Sequence, residues 1–327
     1  MEFLKKVMIT GIHGQDGTLL SELLLSQGIQ VFGFSRPNSI EPRTKSGNKV
    51  TPKFSEFEVD LSSFEKCLEA VTFLKPDTIY HLAAEHAPSH IMTDPAWAYK
   101  KSLMHKTHVQ ITENLAQSIV ETNSQIQLIV AGSSRMYRAE NRNLEVNETT
   151  PVNPIDYYGT TKAEAWDVLR HFRNEYGLKT KMAILFNHES RLRRPGFLFR
   201  DIASQIRMYI AGEQKCLLLR DPEFRGDWHV AKDTVAGLQL MAENSDIDDL
   251  VLASGELIPI KKLVEDYFAE FQTKATPLIM PINQTNESAV DYNLVGDISL
   301  AEKYGWKRAC TLSEVLHQLV TNESPLY

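Results

Sequence analysis

Short apolar segments alternate with amphipathic segments through the first half of the chain, and this alternation restricts the fold more than any other feature. The segments with the length and composition of strands are KVMIT, QVFGFS, SEFEVD, DTIYHLAA, IQLIVAGSS and KTKMAILF. Most are separated by segments with apolar residues at helical spacing, such as GTLLSELLLSQG and SSFEKCLEAVTFL. Strands that alternate with helices pair in parallel through right-handed crossovers. The sequence therefore predicts an α/β fold with a doubly wound parallel sheet, the Rossmann arrangement.

The alternation weakens after about residue 187, where loops, short helices and proline-containing turns replace it. A chain of 327 residues is long enough for about two domains. We expect a Rossmann domain formed by residues 1–186 together with about 226–255, where DWHVAKDTVAGLQLM and DLVLAS return to the sheet. Residues 187–225 and 256–327 are expected to form a smaller α/β C-terminal domain.

The charge and the apolar pattern exclude several classes of partner. The net charge of −7 would repel a phosphate backbone, so no nucleic-acid partner is expected. The N-terminal segment MEFLKKVMIT lacks a signal-peptide pattern, and no apolar run is long enough to span a membrane. Cys67, Cys216 and Cys310 are far apart and form no CxxC pair, which is typical of free thiols in a reducing compartment. We therefore expect a cytoplasmic protein without a membrane partner.

Three glycines follow the first predicted strand in the pattern G-x-x-G-x-x-G. Gly11 allows a tight turn, Gly14 lets the backbone approach a pyrophosphate, and Gly17 lets the helix pack near the strand. The N-terminus of the following helix would supply free N–H groups to the anion. The pattern predicts a dinucleotide site, and the alternative is a glycine turn that binds nothing. Further candidate contacts in this loop are His13, Gln15 and Asp16.

The end of the second predicted strand indicates which dinucleotide is bound. An acidic residue there would accept a hydrogen bond from the 2′-hydroxyl of NAD, but this chain has Arg36 and no acidic residue before Glu41. Arg36 could instead bind a 2′-phosphate with help from Arg43 and Lys45, so we expect NADP. The alternative is that Arg36 is a solvated loop residue. Asp60, after the third strand, suits a contact at the adenine end, although it could equally cap a helix.

Tyr158 and Lys162 form a Y-x-x-x-K motif, in which both side chains share one face of a helix. The ammonium would lower the pKa of the phenol, which could then exchange a proton with a substrate oxygen while hydride moves to or from a nicotinamide. Ser133, at the end of an earlier strand, would hydrogen-bond the same oxygen. Tyr157 is a rival tyrosine, but Thr161, its partner at this spacing, cannot serve.

With these motifs the sequence resembles the extended short-chain dehydrogenase/reductase family, and within it the GDP-mannose 4,6-dehydratases. The likeness covers nearly the whole chain and rests on GIHGQDG, LAA, YGTTK, LFNHES followed by paired arginines, FRGDWHVAKDTV and GDISLAEKYGW. It implies NADP, a nucleotide-sugar substrate that is favoured to be GDP-linked, a C-terminal substrate domain, and a homodimer or homotetramer. It also implies cofactor contacts from Leu61, Leu82, Ala83, Ala84, Leu185, Asn187, His188 and Arg193.

The resemblance implies a mechanism that this sequence does not fully match. Tyr158 would take the proton of the sugar C4 hydroxyl, a carboxylate would then remove the C5 proton, and water would leave C6. In the dehydratases that carboxylate follows two Ser or Thr residues, whereas this chain has Ser133, Ser134 and Arg135. An arginine cannot accept a proton near neutral pH. Glu85 either replaces the lost base or, as we favour, pairs with Arg135.

Candidate substrate contacts are Glu85, Ser134, Arg135, Asn187 and Arg225. Arg225 suits the substrate diphosphate because a guanidinium matches phosphate oxygens, although a salt bridge with Asp227 is an alternative. Asn286 stands where the dehydratases have an arginine. We expect no metal site, since Pro88 argues against a helix that would bring His86 and His90 together.

Three hypotheses follow. The chain is a 4,6-dehydratase with a relocated base, or an oxidoreductase or epimerase that acts at C4 without eliminating water. The third possibility is a catalytically impaired cofactor-binding protein that serves as a partner subunit. Arg135 counts against the first hypothesis, and the complete set of Ser133, Tyr158 and Lys162 counts against the third.

Overall fold

A parallel sheet of seven strands forms the centre of the computed structural model, which describes residues 5–37, 54–85, 97–123, 125–139, 143–219, 221–272, 274–282 and 294–321. From one side to the other the strands are β12 (Asp249–Leu252), β7 (Thr180–Leu185), β5 (Gln127–Ala131), β4 (Thr78–His81), β1 (Lys6–Thr10), β2 (Gln30–Ser35) and β3 (Ser55–Glu58). The chain order reverses between β1 and β4, which makes the sheet doubly wound. The predicted fold class is confirmed, including the return of DLVLAS to the sheet as β12.

Helices cover both faces of this sheet. They are α1 (Gln15–Ser26), α2 (Phe64–Leu74), α4 (Ile111–Thr122), α5 (Tyr157–Tyr176) and α7 (Ala231–Glu243), while α3 (Trp97–His105) packs on α5. One apolar core lies between the sheet and α2, α4 and α5, and a second lies between the sheet, α1 and α7. Ser63 caps α2, with its hydroxyl accepting a hydrogen bond from the amide of Lys66.

The helical segment before β5 is interrupted by one π-helical turn. Residues Lys106–Gln110 form this turn between α3 and α4, so the two helices are continuous but shifted in phase. The shift turns Thr107, His108 and Val109 into the protein interior. Nothing in the apolar spacing predicts this turn, which inserts one extra residue into the helical repeat.

The remaining described residues form short strand pairs and a third apolar core. The parallel pairs are β6 (Leu144–Val146) with β15 (Leu294–Gly296), β8 (Asn187–Glu189) with β11 (Trp228–Val230), and β9 (Cys216–Leu219) with β14 (Leu278–Pro281). An antiparallel pair joins β10 (Arg225–Gly226) to β13 (Ile258–Pro259). The helices of this part are α6 (Leu198–Ala211), α8 (Ile260–Phe271), α9 (Ser299–Lys303) and α10 (Leu312–Thr321). The core lies among α6, α8 and α10. In the described ranges, no helix is both long and apolar enough to span a membrane.

The turn from β1 to α1 depends on glycines in two different ways. Gly11 has a φ of +70°, a conformation that a Cβ atom disfavours, and its amide donates a 3.2 Å hydrogen bond to the carbonyl of Phe34. Gly17 needs space instead, because a Cβ atom there would lie 2.3 Å from the carbonyl oxygen of Gly11. The first turn of α1 therefore packs directly on the loop that precedes it.

We expect Gly17→Ala to lower the free energy of unfolding by about 3 kcal/mol or more, because the clash is with backbone atoms that cannot move aside. Gly28→Ala is the matched control: Gly28 has a φ of +78°, but a Cβ atom there would meet no other atom within 4 Å. Its substitution should cost only about 1 kcal/mol of backbone strain. Urea unfolding of both variants measures the difference, and equal losses would contradict the packing argument.

Candidate active site

The carboxyl ends of β1, β4 and β5 bring the sequence motifs to one end of the sheet. The glycine loop follows β1, the LAA segment at 82–84 follows β4, and Ser133 follows β5. A Cβ atom at Gly11 would lie 2.8 Å from the backbone N and Cα of Ala83, so the loop and the LAA segment are in direct contact. The amide of Ala83 also donates a 3.2 Å hydrogen bond to Oγ1 of Thr10. Open α/β sheets bind ligands at this end, and we identify it as the candidate active site.

Tyr158 lies in the first turn of α5, next to the end of β5. Asp156 caps the helix, because its Oδ1 accepts a 2.9 Å hydrogen bond from the amide of Gly159. A side-chain hydrogen bond joins Tyr158 to Ser133, so the structure brings this predicted pair together. Burial raises the pKa of the Tyr158 phenol, and the lowering effects of Arg135 and of the Ser133 hydrogen bond offset only part of this rise.

Tyr157 points in a different direction. Its ring meets the ring of Trp97 on α3 edge-on, and Nζ of Lys101 lies 5.0 Å from its centroid. The structure therefore places Tyr158, rather than its neighbour, beside Ser133.

Lys162 lies one helical turn after Tyr158, with its Nζ 5.8 Å from the centroid of the tyrosine ring. Nζ donates a 2.7 Å hydrogen bond to the carbonyl of Ala131, and burial lowers the pKa of this lysine to about 7. The sequence assigns to Lys162 the charge that lowers the pKa of Tyr158. In the structure, Arg135 is the group with the largest lowering effect, because Lys162 is turned toward the strand and holds its proton weakly.

Two guanidinium–carboxylate pairs lie where the sequence left alternatives open. Arg135 donates to Oδ2 of Asp156 from Nε at 3.0 Å and also from Nη2. Glu85 accepts a 3.3 Å hydrogen bond from Nη2 of Arg36. The proposed pairing of Glu85 with Arg135 is therefore wrong: Arg135 lies against the cap of α5, whereas Glu85 turns from the end of β4 toward the end of β2.

His108 is a buried residue of this site that sequence reasoning missed. Its ring meets the ring of Tyr158 edge-on, with 5.2 Å between the centroids. Nε2 accepts a 3.1 Å hydrogen bond from the amide of Glu85, so the proton lies on Nδ1, which donates to Oγ1 of Thr161 at 2.8 Å. His108 thereby connects the segment after β4 to the helix of Tyr158. Only the π-helical turn aims it inward, and an isolated histidine gives no sequence signal for that.

Below the glycine loop, His188 forms an ion pair with Asp16 in the first turn of α1. Nδ1 of His188 lies 2.7 Å from the carbonyl oxygen of Phe186, which can only accept, and Nε2 lies 3.0 Å from both carboxylate oxygens of Asp16. Both ring nitrogens therefore donate, and the imidazole is protonated. Burial opposes the pKa shifts of both groups, but their mutual attraction outweighs it: the pKa of His188 is raised and that of Asp16 is lowered.

Gln15 and Arg193 extend the same network. Gln15 donates from Nε2 to the carbonyl of His188 at 3.1 Å and accepts a 2.8 Å hydrogen bond from Oγ of Ser190. Arg193 donates from Nε to Oε2 of Glu189 at 2.6 Å and from Nη2 to the carbonyl of His188. His188 and Ser190 of the LFNHES segment thus lie against the N-terminus of α1.

A carboxylate that sequence reasoning missed lies beside the ends of β2 and β3. Oε1 of Glu56 lies 2.6 Å from Nε2 of His13 and accepts a 3.2 Å hydrogen bond from Oγ of Ser35. Asp60 accepts hydrogen bonds from the amide (3.1 Å) and the hydroxyl (2.6 Å) of Ser62, so it closes the turn before α2. The Ser62 hydroxyl is the main reason that the pKa of Asp60 is lowered.

The other predicted contacts differ in exposure. Leu61 and Leu185 are buried in the apolar cores, so their side chains serve packing. Ala84, Asn187 and Arg225 are exposed, while Ser134 and Leu82 are half-buried. The positions that lie outside the described residues are Arg43, Lys45, His86, His90 and Asn286. Within the part of the chain that is described, no three His, Cys, Asp or Glu side chains are grouped so that they could hold a metal ion.

Asp227 accepts hydrogen bonds from nearby loops and does not form the salt bridge with Arg225 that the sequence left open. Its Oδ1 accepts from the amide (2.6 Å) and hydroxyl (2.7 Å) of Ser254, and its Oδ2 accepts from the amides of Gly255 (3.1 Å) and Gly296 (3.0 Å). Both oxygens are thus committed to backbone near the ends of β12 and β15. The neighbouring Arg225 guanidinium extends toward solvent.

Known proteins are similar to this chain in sequence or in fold over nearly its whole length. The family model described as GDP-mannose 4,6 dehydratase matches residues 8–319. GDP-mannose 4,6-dehydratase of Yersinia enterocolitica is 27% identical over 98% of this chain and 94% of its own. GDP-mannose 4,6 dehydratase 1 of Arabidopsis thaliana is 29% identical over 98% of this chain and 90% of its own. A putative epimerase from Burkholderia cenocepacia superposes with a TM-score of 0.78 at 18% identity, with 97% of each chain covered.

The doubly wound seven-stranded sheet with its flanking helices is the Rossmann-like fold of the extended short-chain dehydrogenase/reductases. The family model covers nearly the whole chain, including every strand of the central sheet except the first two residues of β1. The chain belongs to the GDP-mannose 4,6 dehydratase family.

The Asp16–His188 pair predicts a pH-dependent stability. The raised pKa of His188 contributes stability that is complete below the unfolded value of about 6.5 and is lost as the pH rises through the folded pKa. We expect Asp16→Asn to cost about 1–3 kcal/mol near pH 6 and progressively less at higher pH, because the wild type loses the same interaction there. Urea unfolding across the pH range measures this.

The control is Asp201→Asn, since Asp201 occupies the first turn of α6 but is exposed. It should cost only a few tenths of a kcal/mol at every pH. A stability difference between wild type and Asp16→Asn that stays constant above pH 6.5 would contradict the protonated His188.

Proposed function

We propose that this protein is a nicotinamide-dinucleotide-dependent enzyme that acts at C4 of a nucleotide-linked sugar, with Tyr158 as the proton-transfer group. The observation that carries the proposal is the hydrogen bond between Tyr158 and Ser133, with Lys162 one turn away, at the same end of the sheet as the glycine loop. Family membership supports the substrate class, since the curated relatives are GDP-mannose 4,6-dehydratases. A GDP-linked sugar is therefore the favoured substrate.

The residues around the glycine loop fit a dinucleotide. Gly14 is the N-cap of α1 and carries no side chain there, and the N-terminus of α1 offers its free amides to a pyrophosphate. When bound, the cofactor supplies a hydride acceptor and donor. One structural relative is the RMD protein of Pseudomonas aeruginosa in complex with NADPH, whereas others carry NAD. We propose NADP for this chain, with Arg36 as the contact of its 2′-phosphate.

In this proposal Ser133 and Tyr158 both bind the sugar C4 oxygen. During oxidation the C4 hydroxyl gives its proton to the Tyr158 oxygen as the C4 hydride departs, and reduction reverses both transfers. Lys162, whose pKa burial lowers to about 7, can hold or release a proton close to neutral pH and so reset Tyr158. Exposed Arg225 would bind the substrate diphosphate, while Asn187 and Ser134 would contact the nucleotide sugar. We also propose the division into a Rossmann domain and a C-terminal substrate domain, and a homodimer or homotetramer.

The two reaction types differ in their need for a second base. Elimination of water from C6 requires a carboxylate to remove the C5 proton, but Asp156 and Glu85 are each paired with a guanidinium. Oxidation, reduction or epimerisation at C4 needs only Tyr158. The ion pairs favour C4 chemistry without dehydration, while the family favours the dehydratase. A noncatalytic partner subunit would not need the Ser133–Tyr158 hydrogen bond.

The deciding experiment incubates the purified protein with NADP, or with NAD, and a panel of nucleotide sugars that includes GDP-mannose. Loss of one water with no net NADPH identifies a dehydratase. A change of two hydrogens with NADPH formed or consumed identifies a C4 oxidoreductase, and unchanged mass with altered retention identifies an epimerase. No conversion of any member of the panel would contradict the proposed function.

Tyr158→Phe should lower kcat at least about 100-fold on whichever substrate reacts, because it removes the proton-transfer group. Tyr157→Phe is the matched control, since that ring faces Trp97 and Lys101. It should retain activity within about threefold of wild type. Full activity of Tyr158→Phe would overturn the assignment of this residue.

Cofactor preference should depend on the Arg36–Glu85 pair. Glu85 competes for the guanidinium that a 2′-phosphate would use, so Glu85→Gln should tighten NADPH binding about 3- to 10-fold and leave NADH binding nearly unchanged. Arg36→Asp should shift the preference toward NADH. Fluorescence titration with both dinucleotides measures these changes, and Glu213→Gln, at an exposed position, is the control. An unchanged affinity of Arg36→Asp for NADPH would contradict the role of Arg36.

A further inference from the structure

The turn that carries Arg135 is fixed to the start of α5 by backbone contacts. The amide of Ile155 donates a 3.1 Å hydrogen bond to the carbonyl of Arg135, and the amide of Asn153 donates a 2.8 Å bond to the carbonyl of Met136. A Cβ atom at Gly159 would lie 2.1 Å from the same Arg135 oxygen. The backbone of Arg135 is therefore held against the residue that directly follows Tyr158.

The Arg135 side chain is fixed as well. Its Nε and Nη2 both donate to Oδ2 of Asp156, whose Oδ1 accepts from the amide of Gly159. Asp156 is 19% exposed and Arg135 is 36% exposed, so solvent screens the pair only in part. The carboxylate that caps the helix of Tyr158 thus also determines where the guanidinium lies.

We propose that Arg135 is a positioning residue for Tyr158: a fixed cation that stabilises the deprotonated phenol, with Asp156 as the clamp that holds it beside the start of α5. The inference rests on the proposed function, in which Tyr158 exchanges a proton with the sugar C4 oxygen. Arg135 has the largest lowering effect on the pKa of Tyr158, ahead of the raising effect of Asp156, in agreement with this geometry.

Arg135 has a second consequence for the type of reaction. At this position the resemblance places the carboxylate that removes the C5 proton, and a guanidinium cannot accept one. A cation here helps Tyr158 to take the C4 proton instead. The same substitution therefore disfavours dehydration and favours proton exchange at C4.

Other charged or titratable groups also face Tyr158 or its lysine partner and must be kept constant in any test. They are Asp16 at the start of α1, His108 on the π-helical turn, Lys162 on α5 and His81 at the end of β4. None of them is changed in the variants below. Differences in the pH profile among these variants are therefore due to Arg135 and Asp156.

The test compares wild type with Arg135→Gln, Arg135→Lys, Asp156→Asn and the double variant Arg135→Gln/Asp156→Asn. Asparagine caps helices as well as aspartate does, so Asp156→Asn removes the charge and keeps the cap. The probe is GDP-mannose, or whichever member of the panel reacts, with kcat for oxidation recorded from about pH 6 to 10. Oxidation requires deprotonated Tyr158, so the rate rises with pH until that group has titrated.

Arg135→Gln should move this rising limb to higher pH and lower the rate about 3- to 10-fold at a fixed pH on the limb. The rising limb of the double variant should lie between those of Arg135→Gln and wild type, because this variant also loses the negative charge of Asp156, which disfavours the deprotonated phenol. Arg135→Lys should restore most of the wild-type profile. A purely structural role of Arg135 would lower kcat equally in Arg135→Gln and Arg135→Lys at every pH, and that result would overturn the proposal.

A measurement without substrate separates the two proposals. The absorbance of tyrosinate is recorded against pH for wild type and for Arg135→Gln. The same titration of each protein with Tyr158→Phe added is subtracted, so that the difference reports Tyr158 alone. Thermal unfolding checks that each protein is folded. Ionisation of Tyr158 at higher pH in Arg135→Gln than in wild type supports the role of Arg135, even where no nucleotide sugar reacts and the proposed function fails. The same ionisation in both folded proteins overturns this role even where the proposed function holds.

Discussion

The start of α5 packs directly against the turn after β5, and this backbone contact determines where the candidate proton-transfer group lies. No side chain fits at Gly159, where a Cβ atom would lie 2.1 Å from the carbonyl oxygen of Arg135. Because the two backbones touch, the phenol of the preceding Tyr158 reaches the hydroxyl of Ser133. The hydrogen bonds from the amides of Ile155 and Asn153 to the carbonyls of Arg135 and Met136 hold the same two segments together.

Charges at this end of the sheet occur in pairs. Arg135 with Asp156, Arg36 with Glu85, His188 with Asp16, and Arg193 with Glu189 each join a cation to a carboxylate. A partly buried charge is costly unless a partner compensates it, so the pairs lower the cost of placing these charges at the site. They also bear on the chemistry, since Asp156 and Glu85 already accept hydrogen bonds from guanidinium groups.

The sequence predicted more of the fold than of the site. Alternation of strands and helices led to the correct parallel sheet, because burial on both faces leaves continuous apolar strands and amphipathic helices that are visible in the sequence. Tyr158 was distinguished from Tyr157 by the lysine one helical turn away. His108, Glu56 and Asp156 were missed, because each acts through a partner distant in sequence or through a turn that departs from the regular helical repeat. The pairing of Glu85 was predicted wrongly for the same reason.

The sequence by itself determined the doubly wound sheet, the glycine loop and the Ser133, Tyr158 and Lys162 set. These depend on periodicity and on local conformational preferences, which each segment carries within itself. Only the tertiary structure decided which carboxylate meets which guanidinium, and therefore that Arg135 lies with Asp156 and Arg36 with Glu85. Those choices depend on distances of a few ångströms between segments far apart in the chain, and sequence spacing does not contain them.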